Sequence, residues 1–134
     1  MRKLVFILLS ILSLTAMAQE KKTISIQRPQ CGNAMVANMV KSSLTKSFAL
    51  SEEWQPVEEM SFEQMLNMDG NSSKQPQFML MTSIQNMEGI YYISCRIMDT
   101  DTMATIASAM EMSETSPQSI LDACNAIAKQ LIEN

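Results

Sequence analysis

The sequence predicts an α+β domain with a mixed or antiparallel sheet, in the order β-α-β-α-β-β-β-α, and helices packed on one face. Three observations carry that reading. Residues 78–110 hold three alternating segments joined by connections of four residues, which forces antiparallel neighbours. A continuous apolar stripe at helical spacing runs from Ile120 to Leu131. A β-branched stretch, Thr23-Ile24-Ser25-Ile26, leads past Pro29 into a second helical period.

Asn33 is placed to cap the first helix. There Met35, Val36, Met39, Val40 and Leu44 recur at spacings of three and four, and Phe48 and Leu50 close the pattern. Glu53-Trp54-Gln55-Pro56-Val57-Glu58 reads as a strand. Pro56 cannot donate a ladder hydrogen bond, so this strand belongs at a sheet edge. Ser61 with Gln64 has capping-box spacing and opens a short second helix, with Phe62, Met65 and Leu66 as its buried side. Asp69-Gly70-Asn71 ends it, and a polar loop runs to Pro76.

The three following strands read as Phe78 to Gln85, Ile90 to Met98 and Ala104 to Met110. Alternation sets Tyr91, Ile93, Cys95 and Ile97 on one face of the middle strand, with Tyr92, Ser94, Arg96 and Met98 on the other. The first divides into Phe78, Leu80, Thr82 and Ile84 against Met79, Met81, Ser83 and Gln85. Ser116-Pro117 then opens the last helix, with proline in its favoured first turn. Its stripe is Ile120, Leu121, Cys124, Ile127, Ala128 and Leu131.

Composition narrows the function. The chain has 134 residues, 46% apolar and 18% charged, which suits one folded domain. Arg2-Lys3, the apolar run Leu4 to Leu14 and Ala16-Met17-Ala18 resemble a secretory leader cleaved before Gln19. The run is too short for a bilayer, which needs about 20 residues. Domains are therefore expected as a leader over 1–18 and a single α+β unit over 19–134, exported to the periplasm or beyond. Removing Arg2 and Lys3 from the ten basic residues leaves eight against 14 acidic ones, so nucleic acid is not an expected partner.

The absence of histidine removes Ser–His and Cys–His catalysis and imidazole metal ligands. Cys31-Gly32-Asn33 is a candidate thiol site, since a cysteine before a helix can be acidified by the dipole. No base accompanies it, and a turn residue is the reading preferred. The neighbouring glutamates Glu52-Glu53 and Glu58-Glu59 would point to opposite faces of a strand, which is not a glycosidase geometry. Asp99 and Asp101 have the spacing of two calcium ligands, without the glycine and distal glutamate of a calcium loop. No cofactor and no metal are expected. Asp101-Thr102-Met103 resembles a bacterial O-glycosylation acceptor. In an exporting compartment the three cysteines allow one disulfide. They are read as small core residues, with Cys95 and Cys124 the best-placed pair if a bridge forms.

Cys95-Arg96-Ile97-Met98-Asp99-Thr100-Asp101-Thr102, with Ile106 and a final helix reading Ala123, Ile127-Ala128 and Leu131, resembles a recurring envelope hairpin and helix. The pattern is similar to the small periplasmic domain shared by the curli-secretion component CsgG, the penicillin-binding-protein activator LpoB and the N-terminal domain of TolB. Met103 stands where that pattern has glycine, and the lipoprotein cysteine and barrel-forming insertions of CsgG have no counterpart. The resemblance implies a non-enzymatic envelope domain that works by protein contact, with membrane contact only through partners.

Methionine is abundant, with 14 in the chain, and serves both cores and adaptable binding surfaces. Met35, Met39 and Met65 are expected in the core. Met79, Met81, Met98, Tyr92 and Arg96 fall on the sheet face away from the predicted helices. They are the expected interaction surface, for an envelope protein partner or a second copy of the chain. Two other readings are a small thiol protein or enzyme using Cys31, and a carrier of an apolar ligand held between helices and sheet.

Overall fold

The computed structural model describes residues 20–60, 63–64 and 75–133. The expected leader lies outside them, as do Met65, most of the expected second helix and most of the polar loop that follows. The described elements are β1 (Lys22–Ile26), α1 (Ala34–Ala49), β2 (Trp54–Val57), β3 (Phe78–Met87), β4 (Ile90–Asp99), β5 (Thr105–Ser113) and α2 (Pro117–Ile132).

The strands form one mixed sheet in the order β2-β1-β3-β4-β5. β1 is parallel to both β2 and β3, whereas β3, β4 and β5 pair antiparallel. β2 carries Pro56 and lies at the edge, where a missing donor costs no ladder bond.

Local chemistry sets the boundaries. Asn33 Oδ1 accepts from the Met35 and Val36 amides at 3.0 and 3.2 Å and starts α1. Ser116 Oγ accepts from the Ser119 amide at 3.2 Å, with Pro117 in the first turn of α2. Between β3 and β4 the connection is tighter than expected. Met87 pairs with Ile90, so only Glu88 and Gly89 turn the chain, at φ 56° and 82°. Positive φ at both positions gives a turn whose twist matches the strands.

The β4–β5 turn is held by Asp99, whose Oδ1 accepts from the Asp101 and Thr102 amides at 2.8 and 3.1 Å. The carboxylate therefore serves the turn's own backbone. Met103 follows at φ 61°, a conformation that costs a side-chain-bearing residue roughly 1 kcal/mol. Met103→Gly should consequently stabilise the fold by up to about 1 kcal/mol in urea unfolding. No gain would mean that the methionine side chain offsets the strain by packing.

α1 and α2 cover one face of the sheet. Ile24, Ile26, Leu80, Ile93 and Ile97 meet Val40, Leu44 and Phe48 of α1, with Ile120, Cys124 and Ile127 of α2 completing the core. The inward sets expected for β3 and β4 are buried or nearly so. Trp54 anchors the β2 end, edge-on to Phe48 and Phe78 at 5.7 and 5.2 Å. Met35 departs from expectation. It lies in the first turn of α1 and is 75% exposed, because Val36 and Ala37 take the inward side of that turn. Met39 is half-buried and touches the core.

Candidate functional site

The sheet register lays out the face turned away from the helices as a grid. Met112, Tyr92 and Gln85 form one row across β5, β4 and β3, and Met110, Ser94 and Ser83 form the next. Ser108, Arg96 and Met81 follow, and then Thr105, Met98 and Met79, beyond which lie Ser25 of β1 and Val57 of β2. This reverse face is divided into two unequal environments.

The β1–β3 half is roofed by the chain. Ser25 Oγ accepts from the Met60 amide at 3.2 Å, and Gln27 Nε2 donates to the Met60 carbonyl at 2.8 Å. Glu59 accepts from the Arg28 amide at 2.9 Å and pairs with Lys41 of α1. Burial alone would raise the Glu59 carboxyl, but the Lys41 and Arg28 interactions outweigh it and hold it below its ordinary value. Residues 59–60 are thus tied to both α1 and β1. Ser25 is fully buried and Met79 is 3% exposed. Met79 occupies the expected face but not the expected surface: packing over this half withdraws it from any contact.

The β4–β5 half is open. Ser94, Arg96 and Ser108 are exposed, while Met81, Tyr92 and Met98 are half-buried among their neighbours. Ile106, Met110 and Met112 are 51%, 60% and 63% exposed. Four of the five expected surface residues, Met81, Tyr92, Arg96 and Met98, therefore meet on one accessible patch. Ile106, Met110 and Met112 extend it and were not anticipated as contact residues. Their signal was the alternation Ile106, Ser108, Met110, Met112, cut short by ending the strand at Met110 rather than at Ser113. Between β3 and β4 the patch dips into a hollow of about 250 Å³, lined by Gln30, Met81, Ser83, Ser94 and Arg96. No salt bridge to Arg96 forms among the described residues. The patch thus combines polarizable thioethers, a phenol ring and a free cation, groups that adapt to and orient a protein surface.

The cysteines are free thiols, and no bridge joins Cys95 to Cys124. Cys95 on β4 and Cys124 on α2 are buried at the helix–sheet contact. Burial pushes each thiol up to about 11, with the neighbouring Cys95 adding to the rise at Cys124. The Cys95 Sγ lies 3.2 Å from Thr82 Oγ1. Cys31 is half-buried against the core. The first amides of α1 that would favour a thiolate there are already bonded to the Asn33 side chain. Thr102 is exposed in its turn, its hydroxyl accepting from the Ala104 amide at 3.3 Å. Between the helices and the sheet, the space a carried ligand would need is occupied by the core side chains of Leu44, Phe48, Leu80 and Ile127.

No family model matches the sequence, and no curated protein matches it either. Solved structures do. The PelC dodecamer from Paraburkholderia phytofirmans is similar in two crystal forms, at TM-scores of 0.63 and 0.58 with 9% and 8% identity. These alignments cover 86% and 85% of this chain and 90% and 86% of that one. TolB from Acinetobacter baumannii aligns at TM-score 0.54 and 10% identity, over 84% of this chain but 28% of that one. A lipoprotein from Neisseria meningitidis aligns at 0.52 and 8% identity, over 72% of this chain and 82% of that one. By fold, then, this chain stands with PelC, with part of TolB and with a neisserial lipoprotein.

Proposed function

We propose that the protein is an exported, non-enzymatic component of the bacterial envelope that acts by binding other proteins. In this reading it is a relative in kind of the CsgG and LpoB domains, working through the open β4–β5 half of its sheet. The observation that carries the proposal is the division of the reverse face. In one half Ser25 and Met79 are buried and Ser25 and Gln27 bond to Met60, and the other presents Met81, Tyr92, Arg96, Met98, Met110 and Met112 with no described element over them. Contiguous exposed apolar surface of this kind marks interaction sites in soluble domains. The leader-like sequence before Gln19 supports export. The dodecameric assembly of PelC supports a fold compatible with self-association as well as with other partners. No described helix is long and apolar enough to cross a membrane. In this reading, contact with the bilayer runs through the partner.

The test introduces a charge into the patch. Tyr92→Glu places a carboxylate within the patch, on its middle strand β4, without touching the helix-side core. Partner capture from envelope extract should fall at least tenfold, with circular dichroism and melting temperature close to wild type. Undiminished capture by the folded variant would remove the patch from the contact.

A further inference from the structure

The two edges of the sheet are treated differently. β2 is four residues long and carries Pro56, two devices that prevent a further strand from pairing there. β5 is nine residues long and contains no proline, lysine or arginine. Its single irregularity is a register shift opposite Ile97 and Met98, near the start of the strand.

The pairing pattern shows which backbone groups β5 does not use toward β4 and leaves unpaired among the described strands. The two-residue turn makes Met87 and Ile90 a hydrogen-bonded pair. Bonding then alternates along β4, so Tyr91, Ile93, Cys95 and Ile97 serve β5. Their β5 opposites are Ser113, Glu111, Ala109 and Ala107. The amides and carbonyls of Ser108, Met110 and Met112 must therefore turn outward, away from the ladder.

We infer that this edge takes a second copy of the chain, β5 against β5 in antiparallel register about a two-fold axis at Ala109. It rests on the reading of the β4–β5 half as a contact surface, and it adds a second copy of the chain at the strand edge that borders that surface. Only registers that oppose outward residues to outward residues can form. Among these, the one centred on Ala109 overlaps the whole nine-residue strand. It sets Ile106 opposite Met112 and Ser108 opposite Met110 on the exposed face. On the other face Glu111, already held by Gln130 Nε2 at 2.6 Å, opposes Ala107. Centring on Glu111 would instead set like charges directly opposite, which is destabilising. Side chains and charge thus select one register, and the resulting two-fold contact closes as a dimer. The two open half-faces then join into one surface twice as wide.

The test is sedimentation of the purified protein across a concentration series, beside Ser108→Pro. Proline at 108 removes only an outward donor, so the β4–β5 ladder keeps its bonds. The wild type should form a dimer, and Ser108→Pro should self-associate at least tenfold more weakly with its dichroism unchanged. A monomeric wild type, or a folded Ser108→Pro that dimerises normally, overturns the inference while leaving the patch's role with other partners standing. Amide exchange of the wild type decides the matter should the proline variant not fold. Protection at 108, 110 and 112 should rise with concentration, and exchange equally fast in dilute and concentrated protein would contradict the pairing.

Discussion

Replacing Phe48 with alanine should destabilise the fold by about 3–5 kcal/mol, a large share of the 5–15 kcal/mol available to a domain of this size. Phe48 is fully buried on the sheet-facing side of α1, and its ring meets Trp54 edge-on at 5.7 Å. Truncation removes that contact and opens a void between α1 and the β2 end of the sheet, where Trp54 and Phe78 form the rest of an aromatic cluster. Urea unfolding should show the midpoint falling sharply with little change in slope. A loss below about 1 kcal/mol would mean the cluster can collapse into the space.

The second large effect concerns the buried thiols. Cys95 and Cys124 both stand near 11, against an ordinary value of 9.0, because burial disfavours the thiolate. A thiol raised in the folded state contributes stability that is intact below the unfolded value. That contribution is lost as pH climbs from about 9 to about 11. Stability measured in urea should therefore drop steeply across that window, and the double variant Cys95→Ala/Cys124→Ala, less stable at pH 8, should show a shallower drop. The rise from 9.0 to about 11 also lowers the thiolate population about 100-fold near neutrality. At pH 8 a thiol reagent should label Cys31 quickly, with Cys95 and Cys124 labelled only after denaturation. Rapid labelling of all three in native protein would show that the helix–sheet contact opens readily.

These effects reside in parts of the fold that the sequence states openly. The alternation in β3 and β4, the caps at Asn33 and Ser116-Pro117, and the edge position of Pro56 each follow from chemistry within a few residues of themselves. Features that depend on distant chain are less legible. Met79 alternates as a surface residue should, yet Ser25, Gln27 and Met60 build a covered zone beside it from segments far apart in sequence. Met35 matches the helical period of Met39, but Val36 and Ala37 take the inward side of the first turn of α1 and leave it outside. The strand order is also hidden, since β1 reaches both β2 and β3 through long crossovers that leave no local signature. At the candidate site, alternation identified the face, and only the fold could show which half of it is open.

The most direct measurement of that division is photocrosslinking in cells from single sites on the full chain. A photoreactive side chain at Met98, in the open half, should yield discrete protein adducts. The same group at Asp122, on the solvent side of α2, should yield none of those species. Adducts of equal yield and identity from both positions, or none from Met98, would contradict the account.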